Sequence, residues 1–214
     1  MKLYTYFRSS AAYRVRIALN LKGLEWESIP IHLLRGGGEQ LGEAYRRVHP
    51  GALVPALEHD GHHLTQSLAI IEYLDELYPE PALLPGPALA RARIRSLSQA
   101  IACDIHPLNN LRVLRYLVHS MHVDEEGKNK WYRHWLGVGF TALEAQLRDD
   151  PATGQFCHGE TPTMADCCLV PQVANARRFN LDMNAFPTVL RIDEACAQLP
   201  AFADAAPSRQ PDAE

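Results

Sequence analysis

Several things are scarce in this chain of 214 residues, and each scarcity excludes something. No stretch approaches the ~20 consecutive apolar residues that a membrane-spanning helix needs. The first residues also lack a basic region followed by a long apolar run, so no secretory signal is expected and the protein is expected to be cytoplasmic, with no membrane partner. Positive charge is not in excess: the formal net charge is −4, which gives no general electrostatic reason to bind nucleic acid. Anion recognition must therefore be local. Cysteine is limited to five residues, Cys103, Cys157, Cys167, Cys168 and Cys196, with no C-x-x-C pair. An odd count at that spacing suggests neither a disulfide framework nor a zinc ribbon. Histidine is more plentiful, and His59, His62 and His63 lie around Asp60-Gly61. In a strand His62 and His63 point to opposite faces and no acidic or thiol partner completes a site, so a solvated hairpin turn is expected and no metal.

The run Tyr6-Phe7-Arg8-Ser9-Ser10-Ala11-Ala12-Tyr13 puts two hydroxyls where a β-favouring segment, Lys2 to Phe7, gives way to helical apolar spacing. Free N–H groups and the positive end of a helix dipole then face whatever Ser9 and Ser10 hold, and a thiolate would be stabilised there. Ser9 or Ser10 serving only as the N-cap is the competing reading. The helix reads from Ser10 to Lys22 and ends at Gly23, with Lys22 suited to the negative end of the dipole. Trp26 to Leu33 is β-rich, which makes a β-α-β unit with a parallel strand pair. Ala52 to Glu58 reads as a strand, Asp60-Gly61 as a turn, and Gln66 to Leu77 as a helix. Pro55 at the start of its strand suggests an edge, a bend or a cis bond.

Pro79, Pro81, Pro85 and Pro87 interrupt the chain, and residues 81–87 read as a stiff linker. Beyond it the pattern is helical near 88–118, 124–148, 163–177 and 187–198. Thr163 to Asp166 reads as a capping box, a folding signal rather than a site. The expectation is an α/β N-terminal domain over 1–80 and an all-α domain over 88–214.

This order of elements resembles the glutathione transferase architecture, a thioredoxin-like domain followed by a helical one. The run from Tyr6 to Leu19 resembles the zeta class, whose members include maleylacetoacetate and maleylpyruvate isomerases. The resemblance extends through Leu53-Val54-Pro55-Ala56-Leu57, Gln66 to Leu74, Asp104-Ile105-His106-Pro107-Leu108-Asn109-Asn110, and Ala165 to Phe179. It implies a homodimer that binds glutathione and a small dicarboxylate. Ser9, with Ser10, would receive the sulfur; Val54, before Pro55, would pair with the cysteinyl backbone. Gln66 and Ser67 would hold the γ-glutamyl carboxylate, and Gln40 the glycyl end. His106 and Asn110 would lie near glutathione. Arg8, Arg112 and Arg178 would clamp substrate carboxylates, because a guanidinium fork donates two parallel hydrogen bonds. Solvated helix faces are the alternative for Arg112 and Arg178, while Arg14 and Arg16 read as structural ion pairs. One departure stands out: the zeta pattern commonly reads Ser-Ser-Cys, and Ala11 takes the third position.

The implied activity is cis–trans isomerisation of maleylacetoacetate, by reversible addition of the glutathione thiolate to a conjugated double bond. Maleylpyruvate is the alternative substrate, and Leu111, where some maleylpyruvate-type members carry another arginine, tilts the reading to the first. A general conjugating transferase and a non-enzymatic interaction protein are the other readings.

Overall fold

The computed structural model describes residues 1–214. The chain divides into two compact units, Met1–Leu84 with Ala197–Glu214, and Pro85–Cys196. The first contains β1 (Lys2–Thr5), α1 (Ser10–Leu21), β2 (Glu27–Pro30), α2 (Glu43–Val48), β3 (Ala56–His59), β4 (His62–Thr65) and α3 (Ser67–Leu77). Its sheet has the order β2-β1-β3-β4. β1 pairs parallel with β2, Lys2 facing Glu27, while β1–β3 and β3–β4 are antiparallel. The expected β-α-β start and hairpin are both present. Leu3 and Leu57 from the sheet, Val15, Ile17 and Leu19 from α1, and Ile70, Ile71 and Leu74 from α3 are fully enclosed. Each such side chain contributes roughly 1.5–3 kcal/mol.

Local chemistry explains the turns. Asp60 and Gly61 both have positive φ, 49° and 76°, as a two-residue hairpin of type I′ requires. His59 is occupied by its neighbours, with Nδ1 2.8 Å from the Tyr73 hydroxyl. The Val54–Pro55 peptide is cis and Pro55 precedes β3, so its missing N–H does not interrupt the central ladder. At the end of α1, Gly23 (φ 63°) donates to the Asn20 carbonyl and Leu24 to that of Leu19, a Schellman closure. Lys22 does something other than face the dipole. Its buried Nζ donates to Asp75 and to the Tyr78 and Pro81 carbonyls, while Asp75 accepts from the Leu83 and Leu84 N–H groups. One buried ion pair thus holds the segment that follows α3.

The second unit is helical: α4 (Ala88–Gln99), α5 (His106–Leu108), α6 (Leu111–His119), α7 (Glu125–Arg148), α8 (Met164–Arg178) and α9 (Pro187–Ala197). The single helix expected near 88–118 is broken. A π-helical turn, Ala100–Ile105, leads into α5, and Asn110 turns extended (ψ 145°) and caps α6 through the Arg112 N–H. Pro107, which cannot donate to the preceding turn, sits where regular hydrogen bonding fails. At the start of α8 the buried Asp166 accepts from the N–H and hydroxyl of Thr163 and from the Cys157 N–H. Burial pushes its carboxyl pKa upward, with these hydrogen bonds acting the other way.

The expected helical domain 88–214 needs one correction. Residues 197–214, including α10 (Pro200–Ala203), belong with the first unit. Phe202 and Ala205 are buried, and their carbonyls accept from the Tyr13 hydroxyl (3.3 Å) and Arg16 Nε (3.0 Å). The chain's end therefore completes the surface of α1. No helix is long and apolar enough to cross a membrane.

Candidate active site

The turn between β1 and α1 carries the first candidates. Tyr6, Phe7, Tyr45 and Val54 form one buried cluster beneath it. Arg8 is exposed, its guanidinium 4.8 Å from the Phe7 ring centre, and Ser9 is half-buried. The Ser9 N–H donates to the Tyr6 carbonyl at 2.9 Å, and its Oγ accepts from the Ala12 N–H at 3.2 Å, so Ser9 caps α1. Accepting that bond leaves the one hydroxyl donor of Ser9 free. Capping and anion binding are thus compatible in a single side chain. Ser10 is buried as the first residue of α1, and Ala11 follows half-buried on the same helix.

Two arginines of α1 stiffen this region, and for Arg16 an ion pair is not the means. Its fully buried guanidinium donates to Thr5 Oγ1 (3.0 Å), the Tyr6 carbonyl (3.4 Å), the Phe7 carbonyl (3.1 Å) and the Ala205 carbonyl, all neutral. Burial lowers its pKa to about 10, which leaves it charged at neutral pH. Arg14, also buried, donates from Nη1 to Ser67 Oγ at 3.2 Å and so ties α1 to the start of α3.

Just before α3, Gln66 adopts φ 69° and ψ 115°. A non-glycine residue held there costs on the order of 1–3 kcal/mol, and such strain clusters at functional sites. Val54 lies beyond the last β1–β3 pair, Tyr4 with Ala56, so its backbone is outside the paired register. The unit thus offers a free hydroxyl at one helix N-terminus, a strand segment outside the ladder, and a second helix N-terminus backed by Arg14, features suited to an anion and to an extended peptide backbone. Gln40 differs from expectation. Its side chain is folded inward and buried, with Nε2 3.5 Å from the Leu33 carbonyl and Oε1 lacking a partner. Gly38, at φ 120°, allows this, since a Cβ there would come within 2.7 Å of the Gln40 amide.

In the second unit, Asn110 Nδ2 is 3.4 Å from His106 Nε2. The α5–α6 link is anchored to α7 through Trp131 Nε1, which donates to the Leu108 carbonyl (2.8 Å), and Asn109, which donates to that of Tyr132 (3.3 Å). Tyr132 stacks on Phe179 at 3.5 Å, and the Arg178 guanidinium lies 5.0 Å from that second ring. Burial raises the Tyr132 pKa, and the Arg178 charge opposes the rise. These contacts bring His106, Asn110 and Arg178 to one corner of the unit. Arg177 is engaged elsewhere, 2.7 Å from Asp193, whereas Arg112 is exposed on the first turn of α6.

Comparison with known proteins adds the family. The model of the glutathione S-transferase N-terminal domain matches residues 3–82, and that of the C-terminal domain matches 139–207. A probable maleylacetoacetate isomerase of Vibrio cholerae is 53% identical over 211 residues, covering 99% of this chain and 97% of that protein. The holo structure of a bacterial maleyl pyruvate isomerase, a zeta-class glutathione S-transferase, superposes with a TM-score of 0.97 at 48% identity over 100% of both chains. The chain belongs to the zeta class of the glutathione S-transferases. Another neighbour is the maleylacetoacetate isomerase of Anaeromyxobacter dehalogenans 2CP-1 (TM-score 0.87, 45% identity, 100% of this chain and 97% of that one). It was solved with dicarboxyethyl glutathione and citrate in its active site. Sequence reasoning missed the roles of Lys22 and Arg16 in holding backbone carbonyls and the strained backbone of Gln66. No local pattern announces them, because their partners are distant or the strain lies in the backbone.

Proposed function

We propose that this zeta-class transferase catalyses the glutathione-dependent cis–trans isomerisation of maleylacetoacetate. The observation that carries the reading is Ser9, whose hydroxyl donor is free at the N-terminus of α1. Glutathione, when bound, supplies a thiolate whose reversible addition to the conjugated alkene converts the double bond into a single bond that can rotate. Ser9 donates to the sulfur, and the α1 dipole lowers a thiol pKa that is otherwise roughly 8.5. Gln66 and Ser67 hold the γ-glutamyl carboxylate, Val54 pairs with the peptide backbone before Pro55, and His106 and Asn110 supply further contacts. Ser10 and Ala11 line the sulfur's helix end. Arg8, Arg112 and Arg178 receive the substrate carboxylates and the negative charge that develops on the adjacent carbonyl.

Maleylpyruvate is the second reading, favoured by the likeness to the maleyl pyruvate isomerase fold. We further propose a cytoplasmic homodimer, the two-fold dimer being the commonest oligomeric solution. Turnover of maleylacetoacetate, maleylpyruvate and a neutral electrophile, each at saturating glutathione, tests the assignment. The reading predicts fastest turnover of maleylacetoacetate; faster turnover of maleylpyruvate moves the assignment to the second, and preference for the neutral electrophile overturns both.

A further inference from the structure

The residues that hold the Ser9 turn do not all come from its own neighbourhood. Phe7 lies two residues before Ser9, and both its backbone polar groups are taken by charged side chains. Its carbonyl accepts from Arg16 Nη2 at 3.1 Å, and its N–H donates to Asp212 Oδ2 at 2.9 Å. The next link in the turn, the Tyr6 carbonyl, accepts from both Arg16 and the Ser9 N–H. Opposite charges from α1 and from the far end of the chain therefore grip the same peptide from two sides. Charge-assisted bonds of this kind are the strong ones.

The segment bearing Asp212 has anchors of its own. Gln210 is buried, and its Nε2 donates to the Asp204 (2.9 Å) and Ala206 (3.0 Å) carbonyls. Glu214 lies 2.6 Å from Arg35 Nη2 and 3.4 Å from His32 Nε2, and the His32 ring meets the Tyr6 ring edge-on at 5.0 Å. The second Asp212 oxygen is buried without a hydrogen-bond partner. A carboxylate kept in this half-satisfied state costs stability, so packing alone is a poor reason for it. Arg16 supplies the compensating charge.

We propose that residues 210–214 form a strap across the Ser9 turn and that Asp212 is a positioning residue, setting through Phe7 where the Ser9 hydroxyl meets the glutathione sulfur. This rests on the glutathione reading above. Removing Asp212 has two opposing consequences for the bound thiol, and their signs separate the explanations. By charge alone, loss of an anion near a site flanked by Arg8 and Arg16 favours the thiolate and lowers the thiol pKa. By position, a loosened Ser9 donates less well and the pKa rises. A purely structural anchor leaves only the charge effect, so the pKa then falls or stays where it was.

The test has two arms. In the free protein, hydrogen exchange of the Phe7 amide should quicken roughly tenfold to a hundredfold in Asp212→Ala, the scale of a lost hydrogen bond to a charged group. Asp212→Asn, which keeps an acceptor, should stay close to the parent. With glutathione added, the ultraviolet absorbance of the bound thiolate is followed against pH. Asp212→Ala should titrate at higher pH than the parent, and Asp212→Asn should not. Unchanged Phe7 exchange in Asp212→Ala overturns the strap. Faster exchange with an unchanged or lowered thiol pKa overturns the positioning role. A parent protein that binds no glutathione overturns the functional reading itself, and with it any role of Asp212 toward sulfur, whatever the exchange arm reads.

Discussion

Replacing Ser9 by alanine removes a helix cap and a hydroxyl donor together, and the two losses have different sizes. The cap is a single bond from the Ala12 N–H at 3.2 Å, and the rest of α1 is locked by buried residues. Its loss should cost about 1 kcal/mol, which for a chain of this size lowers the melting temperature by about 2–4 °C. The donor to sulfur is worth more: losing one oriented donor to an anion costs about tenfold to a thousandfold in turnover, or roughly 1.4–4 kcal/mol. Asp124→Ala is the matched control. Asp124 caps α7 through the Gly127 N–H at 2.8 Å, so its removal should cost similar stability and leave turnover intact. Ser10→Ala should cost less turnover than Ser9→Ala, because Ser10 is buried within the first turn. Thermal unfolding and initial-rate assays on the three variants decide the matter. If Ser9→Ala slows turnover no more than Ser10→Ala or Asp124→Ala, Ser9 is a helix cap and nothing else.

Three further outcomes are expected. Arg178→Leu should lower catalytic efficiency for isomerisation about tenfold to a hundredfold while glutathione affinity and conjugation of a neutral electrophile hold, with Arg178→Lys recovering part; a parallel loss of all three would make Arg178 a support for the Tyr132–Phe179 stack. Lys22→Met should cost about 3–5 kcal/mol in urea unfolding, since it leaves Asp75 without its buried partner, and a loss below about 1 kcal/mol would contradict that account. The Ala152 N–H and then Arg93 hold the Asp150 carboxyl below its usual pKa. Its stabilising effect is therefore present above about pH 4 and lost as pH falls through the lower folded value, so Asp150→Asn should flatten the acid limb of the stability profile. An acid limb identical to the parent's would refute this.

What the sequence discloses here is mostly local. The hairpin is legible in Asp60-Gly61 because only a few residues tolerate two successive positive φ angles, and the capping box at Thr163 because Asp166 must sit three residues on. The breaks between α4 and α6 escape the helical pattern, which runs on through Pro107. Lys22 shows the limit: its neighbours suggest a dipole interaction, yet its partners stand more than fifty residues away and are mostly carbonyls, which every residue has. The tail after Pro207 is short and polar, and nothing in its residues announces that Asp212 accepts from the Phe7 N–H. At the candidate site, Ser9 and the segment around Gln66 are readable from residue type, but the strain at Gln66 and the inward fold of Gln40 are set by packing that no spacing records.

The central claim is that glutathione acts as a returned catalyst, and one measurement tests it most directly. Dialysed protein is given maleylacetoacetate with glutathione far below the substrate concentration, and both product and free thiol are followed. Full conversion to the trans product with all thiol recovered, and no conversion when glutathione is omitted, is the predicted result. Turnover in thiol-free buffer, or conversion that stops when the thiol is consumed, would contradict it.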